Sequence, residues 1–324
     1  MGKNISPTIE AGVLVAITVM LGLATVFIPL FGLLVEFFFA VPPAILTFRH
    51  GAGKGLLALF VTFVLLSMLI SPLFSLRVTL SVGLCGVVFG WGVRKNFDAI
   101  RIFFFTLMVA SAAQILSIVM LNFILDTNLV DTEIKMLRES VAGALQMYET
   151  MGIDQAQINE TKKIFNDGLE VLVLLIPTLL MLAALLNTLA VYLASQWIFP
   201  KLQIKLPHMP PFAEWRFSVL FFYLAAFAIL GDYWGTTRGW TEIHMISLNV
   251  MVISMLLGLI QGFACLSFVA DRFRLTKFFR GVMYVLLLIN PLLAQITAIV
   301  GLMDMYFDYR KKFLESKAKQ DDDS

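Results

Sequence analysis

Charge is what this sequence has least of. Asp, Glu, Lys and Arg make up 14% of its 324 residues, while 59% are hydrophobic. A water-soluble domain of this length carries roughly a quarter of its residues as charges to cover its surface. Reactive side chains are equally scarce. The two cysteines, Cys85 and Cys265, both lie inside apolar segments, so there is no disulfide framework and no cysteine metal spacing. The three histidines, His50, His208 and His244, are scattered at loops or span ends, and nothing resembles H-E-x-x-H or a nucleophile elbow. These absences exclude a soluble globular enzyme and point to a protein with no catalytic constellation, metal or cofactor.

What is present is apolar sequence in long runs, with a mean hydropathy of +0.87. A span needs about 20 apolar residues to cross a hydrocarbon core of about 30 Å, and such runs recur between short charged breaks. A transmembrane β-barrel would alternate apolar and polar residues in segments of about ten, which these continuous runs do not. The expected fold is therefore all-α, a polytopic transmembrane helical bundle of about eight or nine spans. The spans are placed near 9–28, 31–48, 55–72, 76–93, 100–125, 170–198, 216–234, 244–270 and 278–306. The first run is not a cleaved secretory signal, because it continues almost without charge to Phe48.

Basic residues mark every second connection: Arg49 and Lys54, then Arg94, Lys95 and Arg101, then Lys201, Lys205 and Arg216, then Arg272, Arg274, Lys277 and Arg280. The positive-inside rule puts these loops and the N-terminus in the cytoplasm. The stretch TFRHGAGKGLL, Thr47 to Leu57, invites a phosphate-loop reading but fails it. Gly53-Lys54 is followed by Gly55 in place of Ser or Thr, and Phe48 stands where the first Gly belongs. It reads as a tight cytoplasmic turn with Arg49 and Lys54 at the lipid headgroups. The basic residues are divided among membrane turns, which argues for the bilayer as their partner and against nucleic acid.

One sizeable extramembrane segment, about 127–168, carries Ile134, Leu137, Val141, Leu145 and Tyr148 at helical spacing, and resumes after GIDQAQ. It reads as a helical hairpin, either a cap over the outer mouth of the bundle or a spacer or dimer contact. The C-terminus poses a conflict. YRKKFLESKAK is basic and belongs inside, whereas nine crossings leave it outside. Either Pro291 bends or splits the last span, or an earlier span does not cross fully.

Polar groups inside spans are the functional candidates, because an ionisable side chain there is costly unless paired or hydrated. Glu36 is either a ligand or ion-coupling carboxylate, or an interfacial or paired one. Ser111, Gln114 and Asn122 share one face of the fifth span and fit either a small polar ligand or helix packing. Ser247, Ser254, Gly258, Gln261 and Cys265 share a face that reads as a close helix contact. Asp304 and Asp308 stand one helical turn apart, placed to meet one arginine, with Arg216 or Arg238 as the expected partner. Two carboxylates alone do not supply a metal's ligand set. Trp215, Trp234 and Trp240 fit interfacial anchors.

Four stretches together resemble one family. VPPAILTFRHGAGKG, GLCGVVFGWGVRK, LPHMPPFAEWRF and GLMDMYFDYRKK look like the corresponding turns, Gly-spaced helix, Pro-rich loop and ending of bacterial YybS-like membrane proteins, over nearly the whole chain. That family is in turn similar to the substrate-binding S components of energy-coupling-factor transporters, across roughly the first six spans. The resemblance implies a six-helix S-component-like bundle over 1–198, further helices over 199–310 and a charged tail over 311–324. It also implies a small hydrophilic solute bound in the bundle, and an energy-coupling transmembrane subunit with ATPases as partners. S components dock through small residues on their first helix, and Gly12 and Ala16 partly match that pattern. The alternative is a non-transport membrane scaffold that recruits partners through the hairpin and the Pro-rich loop.

Overall fold

Helix starts are written into the sequence as short polar caps. Ser6, Ser71 and Asn290 each precede a proline and accept a hydrogen bond from a first-turn N–H, at 3.4 Å from Ile9, 3.2 Å from Phe74 and 3.0 Å from Leu292. Proline is tolerated at that position because its missing N–H would have had no partner in the first turn. The computed structural model describes residues 6–28 and 32–311, with no strand among the described residues. Lys3 and the charged tail beyond Lys311 lie outside them.

The order is α1 Pro7–Phe27, α2 Gly32–Phe39, α3 Val41–His50, α4 Ala52–Leu69, α5 Pro72–Val78, a π-helical turn Thr79–Gly83, and α6 Leu84–Arg94. There follow α7 Ala99–Leu125, α8 Leu129–Thr150, α9 Gln155–Leu174, α10 Ile176–Ile198, α11 Leu220–Arg238, α12 Thr241–Arg272, α13 Lys277–Ile289 and α14 Pro291–Phe307. Short 3-10 turns occupy Phe199–Leu202 and Phe212–Glu214.

The expected count of eight or nine spans is not reached by this list. Among the described residues six helical segments are long and apolar enough to cross a membrane, or seven if the bent pair α13 and α14 is one span. The run at 31–48 is broken at Ala40 into two short helices. The run at 216–234 starts late, at Leu220, and its second half carries Asp232 and Arg238. The last run is bent by 107° at Asn290 and Pro291. Hydropathy counts apolar residues and does not see where a chain folds back.

The chain divides into two compact units, one of residues up to 169 with 179–209, the other of 170–178 with residues from 210 onward. In the first unit Phe39, Leu46, Phe89 and Phe199 are fully buried. Gly86 and Gly90 of α6 lie against the backbone carbonyls of Ala40 and Ala44, so a Cβ at either glycine would collide with α3. This is small-residue packing of the kind that lets membrane helices approach closely. At the same end Arg94 donates to the carbonyls of Phe48 and Arg49, both at 2.8 Å, closing the C-terminus of α3. Gly51 then turns the chain with φ +93° into α4. The glycine-rich stretch is thus a helix-to-helix turn. Arg49 and His50 pair with Glu10 on the first turns of α1, the histidine at 2.8 Å, so α2 and α3 return the chain to the level where α1 begins.

In the second unit α14 crosses α12 through Gly258, Gly262 and Gly301, where a Cβ on Gly258 would stand 2.6 Å from the Ala298 carbonyl. Next to it α13 runs back along α12, with Arg280 paired to Asp271 and Tyr284 bonded to Ser267. Tyr309 and Arg310, just past α14, share a cavity wall with Arg272 and Phe273 at the end of α12. The bent pair therefore leaves from the end of α12 and returns to it. Arg310 ends up on the side of Arg272 and Phe273.

Asn249 repairs a broken helix. Pro177 lacks an N–H and interrupts the passage from α9 to α10. In an unbroken helix the Leu174 carbonyl would accept from the Thr178 N–H. Here the Asn249 amide stands between them, its Nδ2 donating to Leu174 at 2.7 Å and its Oδ1 accepting from Thr178 N at 3.0 Å. The Thr178 hydroxyl adds a bond at 2.6 Å. Backbone groups at membrane depth need such internal partners. Asn249→Leu leaves both groups orphaned and is expected to destabilise the protein by about 1–3 kcal/mol per group, seen as a lower melting temperature in detergent; an unchanged melting curve would show that the rung needs no insert.

Candidate functional site

The most organised polar cluster of the described residues is built where α14 ends. Asp308 takes a left-handed conformation, φ +48°, and its N–H donates to the Asp304 carbonyl at 2.9 Å. Aspartate tolerates that conformation better than most residues. The reversal folds Arg310 back over Asp304. The guanidinium donates from Nη2 to Asp304 Oδ2 at 2.9 Å and from Nε at 3.2 Å. It also donates to the carbonyls of Ala213 at 2.7 Å and Trp215 at 2.8 Å.

Gln261 on α12 completes the cluster. Its Nε2 donates to Asp304 Oδ2 at 2.7 Å, and its Oε1 accepts from Phe217 N at 3.1 Å. Asp304, Arg310 and Gln261 are 3%, 4% and 1% exposed, so the charges face each other and not water. One carboxylate and one glutamine thereby tie α12, α14 and the loop before α11 together. Asp304 Oδ1 has no hydrogen-bond partner of normal geometry, and Cys265 lies beside that carboxylate. A cavity of about 280 Å³ opens next to the cluster, bounded by Cys265, Leu266, Val269, Val300, Tyr309 and Arg310 among others.

The carboxylate is held by an arginine and a glutamine, and no histidine or hydroxyl joins them. The cluster therefore locks the geometry of this unit. Among the described residues no group of three or more His, Cys, Asp or Glu side chains is placed to hold a metal ion.

The sequence-derived candidates are placed as follows. Asp304 and Asp308 do not share an arginine. Asp308 pairs with Arg216 at 2.7 Å, and Asp304 takes Arg310. Arg238 instead lies over the Trp240 ring at 5.2 Å. Glu36 sits 3.8 Å from Arg77 on α5. Asn122 accepts from Leu129 N at 2.9 Å and so anchors the turn into α8. Ser111 and Gln114 are half-buried on α7. Among the described residues no hydrogen bond joins Glu36, Ser111, Gln114 and Asn122 to one another. Arg49 belongs to the Glu10 pair.

Sequence reasoning missed Arg310, Gln261 and Asn249. Gln261 was legible only as part of a small-residue face, although a glutamine in an apolar span itself calls for a partner. The partner of Arg310 was hidden because the i to i+6 contact exists only through the left-handed turn at Asp308.

Comparison with known proteins identifies a membrane-protein family. The family model described as "Predicted membrane protein (DUF2232)" matches residues 16–305, and the chain belongs to that family. The "Uncharacterized protein YybS" of Bacillus subtilis (strain 168) is 22% identical over 319 residues, covering 96% of this chain and 99% of that protein. No solved structure matches the chain.

The two arginine–aspartate pairs separate by experiment. Asp304→Ala leaves Arg310 buried without a counter-charge and is expected to cost about 3–5 kcal/mol. Asp308→Ala breaks a half-exposed pair and is expected to cost about 0–1 kcal/mol. Folded yield and melting temperature of the two variants give the order, and equal losses would mean that the buried cluster does not hold this unit.

Proposed function

We propose that this member of the DUF2232 family is a membrane-embedded interaction protein of the bacterial inner membrane, with its N-terminus in the cytoplasm. In this reading it recruits a protein partner through the α8–α9 hairpin. The supporting observation is the surface of the hairpin. Neither α8 nor α9 is apolar enough to cross a bilayer, yet Leu137, Met147, Tyr148 and Ile164 on them, and Met151 in the turn after α8, are exposed. Leu145 and Ile158, which flank the turn at Gly152, are buried. Apolar side chains exposed on an extramembrane element mark an interaction surface.

Charge favours protein over lipid as the occupant. Between Leu129 and Leu174 the carboxylates are Asp131, Glu133, Glu139, Glu149, Asp154, Glu160, Asp167 and Glu170, against Lys135, Arg138, Lys162 and Lys163. Helices that lie on anionic bilayers are basic on their polar face, and these are acidic. The polar candidates inside the spans fit a structural role equally well, since Glu36 and Asn122 both contact groups of the chain itself.

A second reading has one observation in its favour. Gly12 and Ala16 are exposed on α1, and a Cβ at Gly12 would meet nothing within 4 Å. A small-residue face left open in this way suits docking on another membrane helix. This supports the solute-binding component implied by the S-component likeness, with Glu36, Ser111, Gln114 and Asn122 lining the site and an energy-coupling subunit as partner. It is the weaker reading, because the cavities of about 280 and 400 Å³ seen among the described residues are lined by α12, α13, α14 and the residues just after it, and not by those four side chains.

The test is gentle affinity purification from native membranes, comparing the natural chain with a Leu137→Glu, Tyr148→Glu double variant. The interaction reading predicts a partner that is recovered with the natural chain and lost with the variant at equal expression. Identical recoveries would overturn it, and a solute retained by the natural chain but not by Gln114→Ala would favour the second reading.

A further inference from the structure

From the turn between α12 and α13 we infer a binding site for an anionic phospholipid, independent of the function proposed above. Three cations, Arg272, Arg274 and Lys277, gather there. Among the described residues none has a carboxylate within ion-pair distance. Every other arginine of this unit is engaged: Arg216 with Asp308, Arg280 with Asp271, Arg310 with Asp304, and Arg238 over Trp240. The first N–H groups of α13 point into the same turn, and the Thr276 side chain does not cap them. A phosphate is the group that satisfies both features, because exposed helix N-termini and guanidinium groups each favour an anion.

The walls beside this cationic rim are apolar. The 280 Å³ cavity bears Arg272 at its edge and Leu266, Val269 and Val300 in its wall. Val269 is 45% and Phe273 71% exposed, so the cavity opens outward. A second groove of about 400 Å³ along α13 repeats the pattern, with Lys277 at its head and Phe278, Val282, Val285 and Leu286 below. A cation at the membrane boundary with an apolar channel beneath it matches a phospholipid, whose charged head and acyl chain are joined in the same order. A soluble anion would leave both apolar grooves bare.

The test uses the full chain, stripped of native lipid in detergent and titrated with phosphatidylglycerol or with phosphatidylcholine of the same acyl chains, read by native mass spectrometry. Preferential retention of phosphatidylglycerol is expected. The Arg272→Ala, Arg274→Ala, Lys277→Ala variant should weaken it by about tenfold or more while retaining phosphatidylcholine as before. Val269→Trp, which fills the cavity and leaves the charges intact, should reduce retention of both lipids. All four positions are exposed or half-exposed, and a melting curve like that of the natural chain confirms the fold. Equal retention of the two lipids, or an unaffected triple variant, would overturn the site. Displacement of the lipid by millimolar glycerol phosphate would also overturn it, by showing that the head alone is recognised.

Discussion

The second unit depends on one buried ion pair. Asp304 and Arg310 meet where α14 ends, with Gln261 donating to the same carboxylate oxygen and the guanidinium donating to the carbonyls of Ala213 and Trp215. Such a pair adds little net stability over an apolar replacement of the same shape, since desolvating two charges offsets their attraction. What it provides is direction. An arginine that must reach a buried carboxylate six residues earlier forces the chain to reverse, and the same guanidinium holds the loop before α11 in place. The glycines Gly258, Gly262 and Gly301 make this reachable, because they let α14 descend against the α12 backbone.

The first unit uses the same physics with other parts. Gly86 and Gly90 bring α6 against α3, and Arg94 then satisfies carbonyls at the end of α3. Glu10 gathers Arg49 and His50, so the basic turn that suggested a phosphate loop is held to the first helix. In both units close glycine packing sets the distance between helices, and an arginine at the boundary fixes where a helix stops. The Asn249 insertion extends the pattern to a helix interior, where a side-chain amide substitutes for the backbone rung interrupted beside Pro177.

The helical membrane class was legible because hydropathy over long runs is a bulk property of the sequence. The boundaries of α7 and α12 were close to their expected places, since Asp98 caps one and Arg272 ends the other. The span count was not legible. Ala40, Asn290 and the late start at Leu220 interrupt runs whose composition remains apolar. The Asp308 pair with Arg216 could be anticipated from two charges at a membrane boundary. The Asp304 pair with Arg310 required a left-handed residue between them, which an aspartate permits but does not announce. Glu36 and Asn122 stood out as polar groups in apolar surroundings, and their contacts with Arg77 and Leu129 depend on neighbours distant in sequence or beyond a turn.

The central claim is that the last two helices enter and leave the membrane on one face. Single cysteines placed at Lys277 and Lys311, in a chain with Cys85→Ala and Cys265→Ser, can be labelled with an impermeant thiol reagent in sealed vesicles of known orientation. The account predicts that both positions react from the same side. Reaction from opposite sides would make α13 and α14 a single bent crossing and contradict the fold described for the second unit.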